Sequence, residues 1–188
     1  MYYLGYPKTM TRGNERRILD QCAPALTGVK TGSLLKVERL VCNEALDLLA
    51  SFENEDVGTK LLRTRGSSSL ILVYRRSMLE KTLSDDETRQ FLSGMGYTGS
   101  MSDLLDRLSE RMSMDIQHEL GIFLGYPLCD VKGFMENRGK RYLLSGCWKV
   151  YGDAAGAKRL FARIKESRKR CLGLFDSGMS FRSVVSCC

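Results

Sequence analysis

"HELGIFLGYPLCDVKGFMENRGKRYLLSGCWKVYGD", residues 118–153, contains the single His and single Trp of the 188-residue chain and three of its eight Tyr. Its reading decides how many strands the sheet has. "LGIFLGY" (120–126) is a short apolar run bounded by glycine, the pattern of a buried strand. "DVKGFMENRG" (130–139) sets Val131, Phe134 and Met135 on one helical face, with Asp130 as N-cap and Gly139 just past the C-terminus. "YLLSGCWKVY" (142–151) alternates, with Tyr142, Leu144, Trp148 and Val150 on one face and Leu143, Cys147 and Tyr151 on the other. The stretch therefore reads as strand, helix, strand.

Upstream, "SLLKV" (33–37) has strand character. "TKLLRTR" (59–65) and "SLILVYR" (69–75) flank a Gly-Ser turn and read as a hairpin. Helices are expected over 14–22, where "APALTG" then breaks the pattern, and over 43–52. "SDDE" has the form of a capping box, Ser84 as N-cap and Glu87 at N3. A helix over 102–112 carries Leu104, Leu105 and Leu108. Asp153 caps the last helix, whose apolar stripe runs through Leu160, Phe161, Ile164, Cys171, Leu172 and Phe175. The sum is an α+β (α/β-like) single domain, a mixed sheet of about five strands flanked by helices. Residues 1–13 read as a loose arm, 14–178 as the domain and 179–188 as a flexible tail.

No run approaches the roughly 18 apolar residues of a membrane span, and the start lacks a signal-peptide core. A cytoplasmic protein with no membrane partner is the expectation. Seven Cys without a C-x-x-C pair make a poor disulfide framework and a poor zinc site, so no metal is assigned. The net charge of +7 is concentrated in "KRLFARIKESRKR" (158–170), with seven bases and one acid. That helix could contact phosphates, so nucleic acid is a conceivable partner. A solvated outer face is the simpler reading.

His118 is the natural candidate for proton transfer, and Cys22 for a nucleophile. A catalytic thiol prefers a helix N-terminus, however, and Cys22 stands at a C-terminus. Tyr126, Tyr142, Trp148 and Tyr151 with Lys149 could wall an aromatic pocket. Arg75 and Arg76 at a strand end could hold a carboxylate or phosphate. The favoured function is a small-ligand or cofactor-binding protein, the cofactor unknown. Its pocket would lie between the 118–126 strand, the 148–151 strand and the 22–30 loop. The alternatives are an enzyme using Cys22 or His118, and a nucleic-acid or protein interaction module using the basic helix. Nothing in the sequence sets the oligomeric state.

"CAPALTGVKTGSLL", "LVYRRSMLEKTL", the 118–153 stretch and "AKRLFARIKESR" together resemble an uncharacterised bacterial family, domain of unknown function 3793. The resemblance runs over about residues 15–178, and its most distinctive block is His-Glu-x-Gly-x-Phe-Leu-Gly-Tyr-Pro. Ala25 and Cys129 depart from the family pattern, which weakens any role for them. The resemblance implies no agreed activity. It does imply that Cys22, Lys30, Tyr74, Arg75, His118, Glu119, Tyr126, Asn137, Trp148 and Tyr151 line one site.

Overall fold

The computed structural model describes residues 10–115 and 117–188. Its centre is an antiparallel sheet of β1 (Gly32–Glu38), β2 (Val57–Arg65) and β3 (Ser68–Arg75), in the order β1-β3-β2. The expected hairpin is β2–β3, turning at Gly66, whose positive φ of 58° suits a residue without Cβ. "SLILVYR" is apolar without a break because both faces of β3 are covered. Ile71 and Val73 enter one core, whereas Leu70, Leu72 and Tyr74 face a second. In β2 the register slips between Leu61, opposite Ile71, and Arg63, opposite Leu70. This bulge leaves Leu62 unpaired in the ladder and buried in the second core.

The first face is covered by α1 (Arg12–Leu26), α2 (Cys42–Ala50) and the C-terminal half of α8 (Ala154–Asp176). The second is covered by α3 (Arg76–Leu83), α4 (Asp86–Ser93), α5 (Met101–Met114), α6 (Leu120–Phe123) and α7 (Leu128–Glu136). A separate small hairpin, β4 (Leu144–Ser145) with β5 (Lys149–Val150), packs on the N-terminal half of α8. It builds a third cluster around Trp148, Val150, Ala157 and Ile164. The long α8 thus ties the hairpin to the main core.

The five-stranded mixed sheet is therefore corrected to three antiparallel strands plus a detached two-stranded hairpin. The decisive difference is "LGIFLGY", which is a helical turn. Leu120, Ile122, Phe123 and Leu124 are all buried there. The turn closes as a Schellman motif: Tyr126 N donates to Gly121 O (2.8 Å), Gly125 N donates to Ile122 O (2.9 Å), and Gly125 has φ 79°. Gly121 is also needed for packing, since a Cβ there would stand 2.9 Å from Val131 Cγ2.

Helix boundaries move by a residue or more. α1 runs through Pro24 to Leu26, with Ala23, Pro24, Ala25 and Leu26 all buried. The cap of α4 is Asp85, whose carboxylate accepts from Thr88 N (3.0 Å), rather than Ser84. α5 begins one turn position early on a Ser100–Asp103 capping box. Asp153 caps α8 as expected. The segment expected as a flexible tail contains α9 (Phe181–Cys187). It buries Phe181, Val184 and Val185 in the first core, and Phe181 meets Phe52 edge-on at 5.7 Å. Residues 1–9 of the expected arm lie outside the described residues, and Arg12 and Gly13 already belong to α1.

Candidate functional site

Asp130 organises the region where the aromatic residues gather. It sits in the first turn of α7, but the helix N-cap is Pro127, which corrects the expected capping role. Its buried carboxylate turns instead toward the hairpin. Oδ2 accepts from Trp148 Nε1 (2.7 Å), and Oδ1 accepts from Tyr151 N (2.7 Å) and Gly152 N (2.9 Å). Three N–H donors flanking β5 are thus satisfied by one side chain, so the arm's position follows α7. Charged acceptors make the stronger class of hydrogen bond.

The indole fixed in this way stacks on Tyr126, with ring centroids 4.6 Å apart and planes 22° apart. Its other contact is edge-on to Phe161 of α8 at 4.5 Å. Both arrangements suit aromatic quadrupoles. Across from this wall, His118 packs on Phe134 at 4.9 Å. Between them lies a cavity of about 370 Å³, bounded by α6, α7 and the β4–β5 hairpin. Its walls are mostly apolar, with Gln117, His118, Asp130, Ser145 and Lys149 among the polar groups. Both oxygens of Asp130 are already occupied. His118 is exposed, and its imidazole makes no hydrogen bond to a described residue.

Lys149 enters from β5. Its Nζ donates to Gly139 O (2.6 Å) and lies 5.0 Å from the Tyr142 ring centroid and 5.8 Å from that of Phe134. Behind the wall, Lys30 Nζ stands 4.9 Å over the Tyr126 ring. Burial pulls the Lys30 ammonium down to about 8, against the opposing pull of Cys147 and Cys22. Burial likewise pushes the Tyr126 phenol up to about 12, with Cys147 adding to the rise.

Of the ten residues expected to share a site, His118, Tyr126 and Trp148 line this cavity, and Lys30 backs its wall. Tyr151 lies one layer behind, against Gly133 of α7. Asn137 closes α7, donating from Nδ2 to Gly133 O (2.9 Å). The other four stand elsewhere. Cys22 is fully buried in the first core, where desolvation raises its thiol pKa well above the ordinary value. Tyr74 belongs to the second core, and Arg75 donates to Glu55 O beside Gly28. Glu119 faces away from the cavity, accepting from Arg111 Nε (2.6 Å) and Tyr97 OH (3.1 Å).

Residues that the sequence reading passed over are Gln117, Phe134 and, above all, Asp130. Phe134 had been assigned to a helical face, which is true, but the cavity forms from what that face meets. The Asp130 bonds span 18 to 22 residues and leave no periodic signal.

On the basic helix, Arg168 pairs with Asp20 and Arg170 donates to Cys187 O. Lys158, Arg159, Arg163 and Lys169 are exposed in the manner of a solvated face. Among the described residues no helix is long and apolar enough to cross a membrane, and no group of three or more His, Cys, Asp or Glu is placed to hold a metal ion.

No curated protein and no solved structure matches the chain. A family described as protein of unknown function, DUF3793, matches residues 18–185. The match begins within α1 and ends within α9, so it takes in the central sheet, both helical layers and the cavity. With nearly the whole described fold inside it, the chain belongs to the DUF3793 family.

Proposed function

We propose that this protein binds a flat aromatic small molecule in the cavity between α6, α7 and the β4–β5 hairpin. The observation that carries the reading is the Trp148–Tyr126 wall, held in place by the buried Asp130 carboxylate. A stacked indole offers a ligand ring a large, preoriented face. The volume falls in the range of small-molecule sites, and the apolar lining with a few polar groups at the edge is their usual composition. His118 and Lys149 supply those polar groups. Binding is the function claimed.

The test uses N-phenyl-1-naphthylamine, a neutral aromatic probe that brightens in apolar surroundings. The expected result is saturable 1:1 binding, with quenching of Trp148, the one tryptophan of the chain. Ser145→Phe, at an exposed position on the cavity rim, should weaken binding tenfold or more while thermal unfolding stays cooperative. Absence of saturable binding, or equal binding by Ser145→Phe, overturns the reading.

A further inference from the structure

The loop joining α7 to the hairpin has an unusual backbone. Arg138 and Arg141 both hold positive φ, 51° and 57°. Arg138 is the left-handed C′ residue of α7: its N–H donates to Met135 O (3.3 Å), and Gly139 N donates to Phe134 O (2.9 Å). Glycine is the default at such a position, because a Cβ strains it. Here two arginines occupy left-handed positions within four residues.

Neither side chain makes an ion pair or hydrogen bond to a described residue, and both are exposed. Lys140, between them, is exposed too. The loop abuts the cavity. A Cβ built on Gly139 would stand 3.0 Å from Phe134 Cε2 and 3.2 Å from Lys149 Nζ, and both residues line the cavity. Lys149 itself has a carbonyl partner and, among the described residues, no carboxylate. From 130 to 149 the chain carries Lys132, Arg138, Lys140, Arg141 and Lys149 against Asp130 and Glu136. Of those acids, Asp130 is engaged by three N–H donors and Glu136 is exposed on α7.

We infer that the cavity takes an aromatic anion: a planar ring against Trp148 and Tyr126, and a phosphate, sulfonate or carboxylate reaching Lys149, Arg138 and Arg141. This rests on the binding reading above and specifies the ligand's charge. Strain kept in a loop beside a cavity points to a role for the side chains that carry it. Arginine is the residue suited to oxyanions, through its planar fork of donors. Each cation left without a protein partner can meet the anion without first breaking an ion pair.

The experiment compares two probes that differ by one group. 1-Anilinonaphthalene-8-sulfonate is N-phenyl-1-naphthylamine with a sulfonate added. At low salt the sulfonate probe should bind roughly tenfold tighter than the neutral one, and the advantage should shrink as salt rises. In Arg138→Gly/Arg141→Gly the ratio should fall toward one while neutral-probe affinity is unchanged. Glycine relieves the strain at both positions, so this variant should unfold at or above the wild-type temperature. Lys149→Met should lower the ratio independently. Equal affinity for the two probes in the wild type, or a ratio unaltered by the double variant, overturns the inference while leaving the binding reading intact. Failure of the neutral probe to bind overturns the reading itself.

Discussion

Replacing Asp130 is the sharpest test of how the cavity wall is built. Asp130→Ala removes the acceptor for Trp148 Nε1, Tyr151 N and Gly152 N at once. Leaving a buried donor unpaired costs about 1–3 kcal/mol. Three such losses set an upper range of roughly 3–9 kcal/mol. Two effects reduce it: water can reach the part-buried Tyr151 bond, and removing a buried carboxylate relieves its desolvation. A net loss of about 3–5 kcal/mol is expected, a large part of a typical domain stability of about 5–15 kcal/mol. Asp130→Asn is milder. Its carbonyl can still serve the two backbone donors, but its NH2 then faces the indole N–H, so one donor is lost and about 1–3 kcal/mol is expected. The assay is urea unfolding followed by Trp148 emission and, separately, by far-ultraviolet circular dichroism. With a slope of about 2 kcal/mol per molar, Asp130→Ala should lower the midpoint by roughly 2 M. A loss below about 1 kcal/mol for the alanine variant, or an asparagine variant less stable than it, refutes the claim that this carboxylate holds the hairpin.

Three further outcomes are expected. Lys30 has its folded pKa lowered to about 8 from an ordinary 10.5. The unfolded chain therefore binds more protons than the folded one between those values, and this residue's contribution to stability rises with pH across that window. The stability of wild type minus Lys30→Met, from denaturation at pH 7 and pH 10, should shift in the wild type's favour at the higher pH; a flat difference contradicts the burial of the ammonium. Phe181→Ala should cost about 3 kcal/mol, since it removes the aromatic side chain that docks α9 against Phe52, and an unchanged melting temperature would mean that α9 contributes no core. Cys22 should react with iodoacetamide only on unfolding, because it is fully buried with a raised thiol pKa; rapid native labelling, located by mass spectrometry, would contradict its place in the core.

What was legible in the sequence followed local rules. The β2–β3 hairpin could be read because its turn is glycine-bearing and its strands are rich in β-branched and apolar residues. α5 and α8 could be read because their apolar positions recur at helical spacing, and α8 also from its capping Asp153. "LGIFLGY" was misread for a physical reason: a short apolar run is buried on all sides whether it is a strand or one helical turn, so periodicity cannot separate them. The discriminating facts are Gly125 in a left-handed conformation and Gly121 under Val131, both of which concern partners distant from the pattern itself. α9 was missed because seven residues after a glycine, with only Phe181, Val184 and Val185 apolar at the right spacing, resemble a tail until the core they cover is known.

The same misreading explains why the expected site dissolved into two groups. A strand at 118–126 would have carried His118 and Glu119 to opposite faces of a sheet shared with Trp148 and Tyr74. Wound as a turn, the segment sends Glu119 into the second core, to Arg111 and Tyr97, and leaves His118 at the surface on Phe134. The turn also brings Tyr126 onto Trp148. A cavity then opens where the helical turn, α7 and the small hairpin meet. Tyr74, Arg75 and Cys22, which belong to the sheet and to α1, are not among the residues that line it. The aromatic clustering in 118–153 was therefore a true signal of a local unit, and the geometry that unites Tyr126, Trp148 and Asp130 is a product of one turn's handedness rather than of the sheet.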